Sequence, residues 1–99
     1  MSYSFTIEPS TRKNKKLKVV INKDGFAVET IHFGDNRFSD YIEYYRSNPA
    51  IANQRRLLYL SRHNKEDWNN FLKPAFWSRW VLWEKKTLKE AIDNIDLNR

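Results

Sequence analysis

The chain has 99 residues, 18 Lys and Arg against 12 Asp and Glu, no Cys, and 15% aromatic residues, among them four Trp. This length suits one small domain, and the lack of Cys excludes a disulfide framework and any thiolate nucleophile or metal ligand. With 30% charged and 40% apolar residues the chain is also too apolar for wholesale disorder.

In chain order, Tyr3, Phe5 and Ile7 alternate with polar residues, the period of a half-buried strand. Pro9, Ser10 and Thr11 end it. Leu17, Val19 and Ile21 alternate in the same way, and Asn22 to Gly25 supplies a turn, with Asp24 and Gly25 forming a strong hairpin signal. Phe26 and Val28 begin the return strand, but the apolar parity slips to Ile31 and Phe33, which calls for a bulge or burial on both faces. The first third reads as a three-stranded antiparallel meander over about residues 3–33, with a basic loop at 10–16.

After Gly34 the period changes. Residues from Asp40 to about Arg46 suit a short helix, and Asn48 before Pro49 is a start signal for a second one. Ile51, Leu57, Leu58 and Leu60 give that helix an apolar stripe ending near His63, with Asn64 as a left-handed cap. Pro74 opens a third helix that places Phe76, Trp80 and Trp83 on one face, with Trp77 and Val81 beside them. Thr87 and Glu90 have capping-box spacing, and Leu88, Ala91, Ile92 and Ile95 form the stripe of the last helix. The expected architecture is α+β: one domain over residues 1–99, a meander packed against three or four short helices between about residues 40 and 95.

Charge is unevenly placed. Residues 1–23 carry +5, residues 24–45 carry −4, residues 46–65 carry +5, and the remainder is neutral, for a total of +6. Arg12, Lys13, Lys15, Lys16 and Lys18 are the densest stretch. Arg55 and Arg62 lie on one side of the second helix at about 100° per residue, with Arg56 flanking them. Such cations are either simply solvated or neutralise phosphates, which fixes position on a nucleic acid without reading its sequence. The aromatic residues at helical spacing suit a core better than a base-stacking platform, and Tyr41, Tyr44 and Tyr45 are the surface candidates.

Signs of catalysis are weak. His32 and His63 fall in different elements, with no helical metal-binding spacing, and two glycines cannot make a phosphate loop. Asp35, Asp40 and Glu43 lie near His32 in sequence, so a His-carboxylate cluster is conceivable, but the simpler reading is a strand-end histidine bonded to a neighbouring loop. No cofactor or metal is expected, and the chain is read as a non-enzyme. The N-terminus lacks the pattern of a secretory signal, and no window approaches 18 uncharged apolar residues.

One motif series goes further. Thr30 to Gly34, Phe38 to Tyr41, Tyr59 to His63 with Glu66, Asp67 and Trp68, then Phe76-Trp77-Ser78-Arg79-Trp80-Val81-Leu82-Trp83 and Thr87-Leu88 follow in this order. The series resembles a small family of uncharacterised proteins of tailed phages, notably marine ones, and of large DNA viruses, although Ala75 stands where that pattern has Gly. The resemblance implies a viral origin and no particular chemistry, with the host cytoplasm or the virion as the setting. In this light Trp68, Trp77, Trp80 and Trp83 are core, and Arg62 and Arg79 are candidate partners for Asp40 or Asp67.

The expected function is that of a viral accessory protein binding DNA or RNA non-specifically through phosphate contacts from Arg12, Lys13, Lys15, Lys16, Lys18, Arg55, Arg56 and Arg62. The alternative is a small virion structural protein or a protein-interaction module, such as an inhibitor of a host enzyme, with a viral or host protein as partner and no membrane association.

Overall fold

The computed structural model describes residues 2–98. Three antiparallel strands, β1 (Tyr3–Pro9), β2 (Lys15–Lys23) and β3 (Phe26–Asp35), form a sheet in the order β1-β2-β3. Asp24 and Gly25 take φ of 51° and 88°. Positive φ at both central residues is the turn geometry whose twist matches a tight hairpin. Ile21 pairs with Glu29 while Asn22 pairs with Ala27, so Val28 is an extra residue in β3. This bulge produces the slip in apolar parity: Phe26 and Val28 are exposed, whereas Ile31 and Phe33 are buried.

The register sets Phe5 opposite Ile21, Ile7 opposite Val19, and Leu17 opposite Phe33, which gathers the apolar side chains on one face. The strand β2 begins at Lys15, two residues before its apolar alternation, because Lys15 pairs with Asp35. The expected basic loop is therefore shorter: Arg12 and Lys13 lie in it, while Lys15, Lys16 and Lys18 are strand residues.

Four helices follow. The helix α1 (Tyr41–Ser47) starts where the Asp40 side chain accepts a hydrogen bond from the Glu43 amide. It ends at Asn48, which donates its amide to the Tyr44 carbonyl and also accepts the Ala50 and Ile51 amides to open α2 (Pro49–Arg62). One residue thus closes one helix and starts the next. The C-cap of α2 is His63, and positive φ at non-glycine positions among the described residues is confined to Asn14 and Asp24, so Asn64 is not the left-handed cap expected of it.

Of the apolar stripe expected on α2, only Leu60 turns inward. Ile51, Leu57 and Leu58 are exposed, Leu57 at 65%. Ala52, Arg56, Tyr59, Leu60 and His63 form the inward face. The helix α3 is short (Pro74–Trp77) and runs into a π-helical turn, Ser78–Leu82. The buried face is not that of Phe76, Trp80 and Trp83: Trp77 and Val81, four positions apart, are fully buried, and the wider turn adds Leu82 beside them. In α4 (Leu88–Asp93) Thr87 accepts from the Glu90 amide as expected, but Leu88 is exposed and Ala91 is the buried contact.

The core joins Val19, Ile21, Ile31 and Phe33 of the sheet to Trp77, Val81 and Leu82. The Trp77 ring meets Phe5 at 5.1 Å and Phe33 at 6.3 Å between centroids, and its Nε1 donates to the Phe71 carbonyl at 2.7 Å. This settles the buried indole's polar group, the usual condition for a Trp in a core. Trp68, Trp80 and Trp83 are only half-buried. Tyr41, expected at the surface, is buried, with its hydroxyl donating to Asn53 Oδ1 at 3.0 Å.

Where β3 ends, Gly34 has φ of +77°, and a Cβ there would lie 2.7 Å from Leu82 Cδ1. Gly25, with φ of +88°, has nothing within 4 Å of the same atom. Gly34→Ala combines backbone strain with a clash, whereas Gly25→Ala carries strain alone, about 1–2 kcal/mol. The expected result in urea unfolding is a clearly larger loss for Gly34→Ala; equal losses would contradict this packing.

Candidate nucleic-acid interface

A groove of about 630 Å³ opens between the end of the sheet and α1, α2 and α3. Lys15 and Lys16 of β2 and Arg55 and Arg62 of α2 all line it, so part of each basic block reaches the same cavity. The placement on α2 follows from helical spacing: Ile51, Arg55, Leu58 and Arg62 recur at i, i+4, i+7 and i+11 along one stripe. Tyr44, Tyr59, Trp83 and Phe38 give the groove aromatic walls.

Acids also line it, and each has a partner of its own. Asp35 receives both Nε and Nη2 of Arg37, at 2.9 and 2.7 Å. The hydrogen bond from Arg37 holds its pKa at about 2. Asp40 accepts from Lys16 Nζ at 2.6 Å, and Glu66 faces His63 Nδ1 at 2.9 Å. Lys15, Arg55 and Arg62 have no acidic partner within ion-pair distance among the described residues. Arg55 lies over the Tyr44 ring at 5.6 Å, a cation–π contact that orients the guanidinium and leaves its charge unneutralised.

Two of the eight expected phosphate ligands are committed elsewhere. Arg56 points inward, its Nε donating to the Trp83 carbonyl at 2.8 Å and its Nη2 pairing with Glu84. Arg79 Nη1 shares Glu84 at 3.0 Å, and its guanidinium carbon lies 4.3 Å from the Trp80 ring centroid and 5.2 Å from that of Trp68. Burial acts upward on the Glu84 pKa, but the hydrogen bonds from Arg56 and Arg79 outweigh it, so it falls below the ordinary value. The partner of Arg79 is thus Glu84 rather than Asp40 or Asp67, and Arg62 is exposed.

Lys16 is the second. Its ammonium bridges Asp40 at 2.6 Å and Glu43 at 2.5 Å, with side-chain exposures of 14% for Lys16 and 5% for Asp40. Burial pushes the Asp40 carboxyl up against the pull of Lys16 and the Glu43 amide. On Glu43 burial also acts upward, but hydrogen bonds with Lys16 and Asp40 prevail and its pKa falls.

Arg12 and Lys18 lie at a second place, around His32. Lys18 pairs across the sheet with His32, and His32 Nδ1 lies 2.7 Å from Ser10 Oγ in the β1–β2 loop. Burial first, then Arg12, Lys18 and Lys15, lower the His32 pKa below 6.5. The surrounding cations thus disfavour a further charge on this ring. His32 bonds a loop, as the simpler reading expects, and no group of three or more His, Cys, Asp or Glu suited to a metal ion occurs among the described residues.

Sequence reasoning passed over Phe38, Tyr59 and Trp83 as groove residues. Phe38 had a usable signal, an aromatic residue directly after the Gly34-Asp35-Asn36-Arg37 turn, whereas Tyr59 and Trp83 come together across 24 positions with no local sign.

Residues 5–44 match a family described as one of unknown function, DUF5754. The matched stretch covers the sheet except Tyr3 and Ser4, and runs through Tyr44 of α1. No curated protein matches the chain, and no solved structure does. No helix among the described residues is long and apolar enough to cross a membrane.

Removing Lys16 leaves Asp40 buried without its cation, a change that costs about 3 kcal/mol for a buried pair. Lys16→Ala is expected to lower the Tm by more than about 10 °C in a chain of this size. A loss no larger than that of the exposed Lys13→Ala would show that the bridge is not structural.

Proposed function

We propose that this protein is an accessory protein that binds nucleic acid without sequence preference, through phosphate contacts to its basic groove. The viral setting implied by the motif resemblance belongs to the same proposal. The observation that carries the reading is the set of three unpaired cations, Lys15, Arg55 and Arg62, drawn from separate basic blocks into one cavity. Arg12, Lys13 and Lys18 lie outside the cavity and remain further candidate contacts, while Arg56 and Lys16 serve the fold. Each phosphate contact releases counterions, so affinity should fall with rising salt.

Replacing Lys15, Arg55 and Arg62 with Ala should weaken binding of a single-stranded oligonucleotide and flatten the dependence of log K on log salt by about two units. Fluorescence anisotropy across a salt series reads both effects. Unchanged affinity and slope would overturn the reading.

A second reading, a protein-interaction module, draws on one specific observation: Phe26 and Val28 at the hairpin tip are 76% and 52% exposed. Large apolar side chains held at such a tip suit a protein contact. That role does not depend on the groove cations, so the triple variant would leave it intact.

A further inference from the structure

Resting on the nucleic-acid reading, the geometry points to a single strand as the form bound: we propose that the groove takes single-stranded nucleic acid, with a base stacked on Phe38 and the backbone phosphates against Lys15, Arg55 and Arg62.

The first argument is shape. Proteins that read a duplex push a convex helix or ribbon into a major groove about 12 Å wide. Here Lys15, Arg55 and Arg62 line a concavity of about 630 Å³. That volume falls within the roughly 300–1,000 Å³ range of clefts that enclose small ligands. A rigid duplex would meet only the rim, whereas a flexible strand can follow the walls with its backbone and lay its bases inside. Cation-lined grooves with aromatic platforms are the general solution for unpaired strands.

The second argument is the state of Phe38. It lines the groove yet is 68% exposed. Its amide donates to the Asp35 carbonyl at 3.2 Å, which pins the turn. The neighbouring Arg37 is held by its two bonds to Asp35 and lies 6.0 Å from the Phe38 ring centroid. The ring is thus presented on a braced turn beside a cation, at a standing hydrophobic cost that the fold does not recover.

The other aromatic walls already have neighbours. Tyr59 and Trp83 stack on each other at 4.5 Å and 2°, with His63 stacked on Tyr59 at 4.5 Å, and the Tyr44 ring carries Arg55. Phe38 carries Arg37 as well, at 6.0 Å, but of these four walls it alone is exposed, so its ring keeps the most room for a base. Stacking on it does not depend on base identity, because every base has a π-face.

The test compares an oligodeoxythymidine of about ten nucleotides, within the site sizes typical of such grooves, with a duplex of equal total charge, by fluorescence anisotropy at one salt concentration. The single strand is expected to bind tighter. Phe38→Ala should weaken single-strand binding about tenfold, leave duplex binding unchanged and keep the circular dichroism of the parent, since the ring is exposed. Phe38→Trp should retain full affinity. Tighter duplex binding, or a Phe38→Ala variant as good as the parent on the single strand, overturns this proposal and leaves nucleic-acid binding standing; failure to bind either form overturns both.

Discussion

The contact of Lys16 with Asp40 and Glu43 is the interaction on which the rest depends. It ties the first residues of β2 to the start of α1, and Asp40 accepts the Glu43 amide at the same time, so one buried carboxylate both starts the helix and docks it on the sheet. Asn48 then links α1 directly to α2. Through this chain of caps the position of Arg55 and Arg62 opposite Lys15 is inherited from a single ammonium group. A buried pair of this kind stabilises little relative to an apolar alternative, but losing one partner is costly, which makes it suited to fixing an arrangement.

A second ionic cluster holds the other side of α2. Arg56 and Arg79 share Glu84, and Arg56 also reaches the Trp83 carbonyl. Anchored in this way, α2 does not need its leucines inside. Arg can bury its hydrocarbon stem and still bring its charge to a partner. That is why Arg56 and Tyr59 face inward while Ile51, Leu57 and Leu58 remain exposed, and why the outward stripe presents Arg55 and Arg62 to the groove.

The elements set by local chemistry were legible in the chain. Asp24 and Gly25 announce the hairpin, the slip from Val28 to Ile31 announces the bulge, Asn48 with Pro49 starts α2, and Thr87 caps α4. The groove itself was half legible: the two basic blocks and the shared side of Arg55 and Arg62 are periodic features. What periodicity cannot express is pairing over distance. Nothing near Arg56 reveals that Glu84, 28 positions on, will take its charge, and nothing near Lys16 reveals Asp40, 24 positions on. The π-helical turn after Trp77 was hidden for a related reason. A helical wheel assumes a constant 3.6-residue turn, and one widened turn at Ser78–Leu82 brings Leu82, five positions after Trp77, onto the buried face beside Val81.

Chemical-shift mapping by NMR during titration with a single-stranded oligonucleotide tests the central claim most directly, that cations from two separated basic blocks act as one site. The account predicts that the amides and side chains of Lys15, Arg55 and Arg62 shift together with a common binding curve. Shifts at one block alone, or confined to the hairpin tip around Phe26 and Val28, would contradict it.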